Sequence, residues 1–130
     1  MRTLCLLLAA ATFPVAYPQK KPQPKPAVIH VVEVSAHREQ DQLNIDGKLK
    51  NTGERIANKL VIFVEVLDSD KRPLTTQSGM SDPESLEPGR EGEFYAQMPL
   101  PARAVYVRLS FEEAGGRHLK SVDTGLVAID

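Results

Sequence analysis

The chain has 130 residues, with 16 Lys and Arg against 17 Asp and Glu, a formal net charge of -1. That length suits a single domain, and the charge balance excludes the broad basic excess that drives binding to nucleic acid or anionic membrane. Charged residues at 25% and hydrophobic ones at 42% describe a globular chain, and the absence of tryptophan with 5% aromatics calls for an aliphatic core. One cysteine excludes an internal disulfide framework and a Cys-rich zinc site.

Residues 1–16 carry one charge, Arg2, ahead of an apolar run from Leu4 to Ala11. A short positive start, an apolar segment and small residues after it are the layout of a secretory signal peptide. Ala9-Ala10-Ala11 meets the small-x-small pattern but gives a very short signal; cleavage after Ala16 gives a better length, with Pro14 close to the cut, and is favoured. The stretch from Thr3 to Ala16 falls short of the ~20 apolar residues that a spanning helix needs, and Pro14 interrupts it. Cys5 lies at the start of the apolar run, not at its end where a bacterial lipoprotein would need it. Removing the signal removes that cysteine. The expected product is secreted or periplasmic, with no membrane span, and is held together by packing alone.

Residues 17–26, Tyr-Pro-Gln-Lys-Lys-Pro-Gln-Pro-Lys-Pro, follow. Each proline fixes its own φ and pushes its predecessor to extended geometry, so the segment reads as a semi-rigid linker of polyproline type. A ligand for a proline-recognising domain, or a tether along an acidic cell surface, is the functional alternative.

From Ala27 to Asp130 the pattern switches to period two, the signature of half-buried strands. Val28–Ser35 is β-branched and free of breakers. In Gln42–Asn51, Leu43, Ile45, Gly47 and Leu49 face one way and Asn44, Asp46, Lys48 and Lys50 the other, until Asn51-Thr52-Gly53 turns the chain. Leu60–Asp68 is apolar on both faces, which places it centrally in its sheet. Pro73–Ser78 follows the turn at Asp68-Ser69-Asp70-Lys71. Gly92–Met98 sets Phe94, Ala96 and Met98 inward, and Arg103–Glu112 does the same with Val105, Val107, Leu109 and Phe111. Arg117–Val122, after Gly115-Gly116, is the hairpin partner of the preceding strand. Residues 122–130 extend it or trail away, and residues 51–59 hold at most a turn of helix. About seven short antiparallel strands with regular turn signals predict an all-β, immunoglobulin-like β-sandwich, without the Cys-Trp-Cys core of antibody domains.

Catalytic chemistry is sparse. Ser78-Gly79 and Ser81 have no Gly-x-Ser-x-Gly around them, and His30, His37 and His118 are scattered without ligand spacing. Asp68-x-Asp70 could start a calcium loop, but Arg72 and Pro73 occupy positions that should supply further oxygens; turn-capping aspartates are the better account. Glu112 and Glu113 end a hairpin and, as neighbours on a strand, point to opposite faces. No phosphate-binding loop is present. No enzyme activity, metal or cofactor is expected. Lys48, Lys50, Arg108, Arg117 and Lys120 could form a modest basic face, interleaved with Asp46, Glu112 and Asp123 as on an ordinary solvated sheet. Tyr95, Tyr106 and Arg108 form the candidate binding surface, because Tyr and Arg are enriched where proteins meet; the two tyrosines could equally cap the edge of the core.

Three segments carry a resemblance. Gly47-Lys48-Leu49-Lys50-Asn51-Thr52-Gly53 resembles the Gly-x-Val/Leu-x-Asn-x-Gly/Ser segment of FxLYD-type domains. Val61 to Asp70 is similar to their alternating strand that ends in an aspartate turn, although Leu67 stands where an aromatic is usual and Lys71 where glycine is. Leu86-Glu87-Pro88-Gly89 followed by Phe94 resembles their Leu-x-Pro-Gly-x4-Phe signature. The likeness covers about Val32 to Phe111. It implies an extracytoplasmic immunoglobulin-like domain, typical of prokaryotic envelope proteins, with no catalytic residues. The residues also have structural roles of their own. Asn51 can satisfy main-chain groups at a turn, Gly53 and Gly89 permit positive φ, Pro88 presets the turn, and Phe94 enters the core.

The reading is a non-enzymatic exported module for protein interaction or scaffolding in the cell envelope, its partner an envelope or extracellular protein. A small-ligand or glycan-binding domain is the alternative.

Overall fold

The computed structural model describes residues 26–122 and 124–130. The expected signal peptide, and the linker apart from Pro26, lie outside the described residues. The described chain is all-β, with eight strands: β1 (Val28–Glu39), β2 (Gln42–Asn51), β3 (Val61–Leu67), β4 (Pro73–Met80), β5 (Glu91–Pro99), β6 (Tyr106–Glu113), β7 (Arg117–Val122) and β8 (Val127–Ala128). They join in one sheet of order β4-β3-β6-β7-β1-β2-β5, with β8 on the far part of β6. The sheet nearly closes on itself, barrel-like.

Two features correct the expected seven antiparallel strands. An eighth short strand forms from the last residues, where Val127 and Ala128 lie opposite Val107 and Tyr106. The β1–β7 pairing is parallel, Val28 to His30 against Lys120 to Val122, and it joins what would otherwise be two separate sheets. β1 also runs past Ser35 to Glu39. It forms a long hairpin with β2 through Gln40, whose φ is 55°. Val32 bulges out between Val31 and Glu33, keeping Val31 and Val34 inward and leaving Val32 47% exposed.

Period two decides the rest. Leu43, Ile45 and Leu49 of β2, Ile62, Val64 and Val66 of β3, Phe94 and Met98 of β5, and Val107, Leu109 and Phe111 of β6 are all buried in one aliphatic core. β3 lies between β4 and β6, as its two apolar faces predict. Its Leu67 is fully buried yet stands apart from that core, on the opposite face. The hairpin β6–β7 turns through Gly115 and Gly116, at φ 91° and 80°. Residues 51–59 hold no helix.

Asn51 is 0% exposed and ties the lower end of the fold together. Its Oδ1 accepts from Gly53 N at 3.0 Å and Val28 N at 3.4 Å. Its Nδ2 donates to the carbonyls of Arg55 (2.8 Å) and Leu86 (2.9 Å). Gly89 has φ 81°, as expected, but Gly53 is not in the positive-φ region. Its requirement is steric: an added Cβ would stand 2.3 Å from the Pro26 carbonyl oxygen. Gly47 is needed for a similar reason, because the Phe94 ring lies over it, 2.4 Å from where a Cβ would be.

Candidate functional site

The sheet ends in two edge strands that approach without forming a ladder. Among the described residues β4 is paired only with β3, and β5 only with β2. Just past β4, Asp82 and Glu93 exchange both main-chain hydrogen bonds, at 2.7 and 2.9 Å, and that bridge is the seam. Antiparallel strands alternate the side to which their main-chain groups point. Ser81 N bonds to Leu60 O, so the odd-numbered residues of β4 face β3 and those of Thr76, Ser78 and Met80 face outward. By the same alternation Glu93, Tyr95, Gln97 and Pro99 of β5 face away from β2. Pro99, with no N–H to give, suits that edge position.

Exposed apolar side chains lie along the two edge strands. Met80 is 43% exposed, Leu74 36% and Tyr95 60%. A cleft of about 680 Å³ opens beside the seam, lined by Glu33, Asp46, Lys48, Met80, Glu93 and Tyr95 among others. The Tyr95 hydroxyl donates to Asn44 Oδ1 at 3.3 Å, and the Ser35 hydroxyl donates to Asp46. The cleft can receive a polar or cationic group against an aromatic wall. Among the described residues no cluster of His, Cys, Asp and Glu has metal-site geometry.

The three residues picked from the sequence do not share one surface. Tyr95 is on β5, whereas Tyr106 and Arg108 are on β6, which neighbours β3, β7 and β8 but not β5. Tyr106 is half-buried between Leu67 and Ala128. Arg108 lies opposite Glu65 on β3 and forms an ion pair with it at a largely exposed site. The basic face is likewise dispersed. Lys48 and Lys50 on β2 stand opposite Glu93 and Glu91 of β5, while Arg108 belongs to another part of the sheet.

The remaining candidates are placed as follows. Asp68 Oδ1 caps its turn by accepting from the amides of Asp70 (2.9 Å) and Arg72 (2.8 Å). Ser78 lies on β4, and the Ser81 hydroxyl donates to the Pro83 carbonyl at 2.7 Å. His30 and His37 lie on β1, where His37 Nδ1 is 3.7 Å from Asp130, and His118 lies on β7 opposite Glu112.

Glu113 ends β6 at the hairpin with β7, as expected, and is also 6% exposed, accepting from Arg55 Nη2 at 2.7 Å, with Arg117 Nη1 at 3.7 Å. The signal was available. Glu113 continues the inward series Val107, Leu109, Phe111, so period two itself sends it inside. Its partner, 58 residues away in sequence, leaves no local trace.

No protein-family model matches the sequence, and a search of curated proteins gives no match. Solved structures do show similarity. One is the C-terminal domain of wzt, 14% identical, with 85% of this chain and 80% of that one covered at a TM-score of 0.53. Another is the archaellum periplasmic stator protein FlaG from Sulfolobus acidocaldarius, 16% identical, covering 72% and 96% at 0.46. IrmA from Escherichia coli is 12% identical, covering 82% and 98%, also at 0.46. The first of these likenesses concerns the β fold alone. No helix of the described residues is long and apolar enough to cross a membrane.

Proposed function

We propose that the protein is an exported, non-catalytic β-domain that binds another envelope or extracellular protein by adding an extended strand of that partner to β4. The carrying observation is the outer side of β4, where, among the described residues, the outward main-chain groups of Thr76 and Ser78 join no ladder although β5 approaches, with exposed Leu74 and Met80 on the same strand. An unpaired edge is a ready template: main-chain hydrogen bonds supply affinity and alternate side chains supply selectivity. Export rests on the charge and apolar pattern of residues 1–16. The finer fold reading is an immunoglobulin-like sandwich of FxLYD type, supported by the Asn51, Pro88-Gly89 and Phe94 segments. Tyr106 and Arg108 would contact a partner that also covers the outer side of β6.

Affinity capture from envelope extract tests this reading when the chain is compared with Ser78→Pro. Proline at an outward edge position removes the donor without disturbing the β3 ladder. A partner retained by the unaltered chain and lost with Ser78→Pro supports strand addition; equal retention refutes it. The Tyr95 cleft favours a second reading, a small-ligand or glycan-binding domain. A thermal-shift series with sugars tests it, since excess ligand raises stability by mass action.

A further inference from the structure

We infer that the cleft framed by Arg55, Arg117 and Lys120 binds an oxyanion of phosphate size. The cleft has a volume of about 580 Å³ and lies at the opposite side of β1 from β2, over Ala27 and Leu119, which are buried. His118 also borders it. Its charges do not balance. One buried carboxylate, Glu113, faces two guanidinium groups, with Arg55 Nη2 at 2.7 Å and Arg117 Nη1 at 3.7 Å from the same oxygen. The other Glu113 oxygen is turned to the Asn58 amide at 3.4 Å. Lys120 adds a further positive charge, and its cross-strand neighbour is Val28 rather than an acid.

This differs from the outer face of β2, where Lys48 and Lys50 each stand opposite a glutamate of β5. Arg55 is held by Glu113, and its Nε is buried without an acceptor. Arg117, with 64% of its side chain exposed, meets Glu113 at a longer 3.7 Å, which leaves its planar fork able to turn into the cleft. Guanidinium forks match the paired oxygens of phosphate, and an apolar floor strengthens such charge-assisted bonds. Pro26 borders the same cleft. The near-zero net charge of the whole chain is no obstacle, because recognition here is local. This inference is independent of strand addition at β4.

The test is a titration of the isotope-labelled protein with inorganic phosphate at low ionic strength, followed by amide resonances, with sodium chloride at matched ionic strength as control. Saturable shifts are expected at Arg55 and from Arg117 to Lys120. The double variant Arg117→Gln, Lys120→Gln, altering two exposed side chains, is expected to bind about tenfold more weakly or worse, the loss of hydrogen bonds from charged groups. Lys48→Gln, Lys50→Gln is expected to bind as the unaltered protein does. Shifts that chloride reproduces, shifts centred elsewhere, or an unchanged affinity in the first double variant would each overturn the assignment.

Discussion

The side chain of Asn51 donates to the main-chain carbonyl of Leu86 across 35 residues of sequence, at 2.9 Å and out of contact with solvent. That bond pins the end of β2 to the segment that leads into β5. Together with the bonds to Gly53, Val28 and Arg55 it uses the full donor and acceptor capacity of one amide.

Asn51→Ala is therefore expected to cost about 2–4 kcal/mol, because it leaves several buried main-chain groups without partners. Asn51→Asp should be at least as damaging, since a carboxylate cannot donate to the Arg55 and Leu86 carbonyls. Urea unfolding should show a lower midpoint at an unchanged slope.

Two glycines separate steric need from conformational freedom. Gly53→Ala would drive a Cβ to 2.3 Å from Pro26 O, against main chain that cannot yield cheaply, whereas nothing lies within 4 Å at Gly125. Thermal unfolding should place Gly53→Ala about 2 kcal/mol or more below the parent and Gly125→Ala within about 0.5 kcal/mol of it.

Glu113→Ala removes a buried carboxylate and leaves Arg55, whose side chain is 32% exposed, without its partner. A loss of about 2–3 kcal/mol is expected, at or below the bottom of the ~3–5 kcal/mol range for breaking a buried pair, because Arg55 keeps some solvent. Arg117→Ala should cost under about 1 kcal/mol, since its contact is longer and it is mostly exposed. Parallel denaturant titrations of the two variants measure the difference.

Arg108 and Glu65 form an exposed cross-strand pair. Arg108→Ala should change stability by about 0–1 kcal/mol, and the change should shrink as salt is raised. A larger, salt-independent loss would show that Arg108 packs rather than merely pairs.

Much of this fold was readable from the alternation alone. β2, β3, β5 and β6 each carry an aliphatic face, and the glycines and Asn51 mark their ends. The full length of β1 was hidden because His37, Arg38 and Glu39 are polar and lie near the hairpin tip, where little is buried. The parallel β1–β7 contact was hidden because it is a meeting of distant segments with no turn between them to announce it. The candidate surface was legible only residue by residue. Of the two alternatives left open for it, Tyr95 takes the exposed one, but strand order, which no local pattern encodes, puts it apart from Tyr106 and Arg108. The charged pair Arg55–Glu113 required both period two and a partner 58 residues away.

Strand addition at β4 is tested most directly by photo-crosslinking in cells, from a reactive residue placed at Thr76 or Ser78 and, as control, at Lys50 on the outer face of β2. Adducts with one envelope protein from Thr76 and Ser78, and none from Lys50, are the expected result. Adducts from all three positions alike, or from none, would contradict the account.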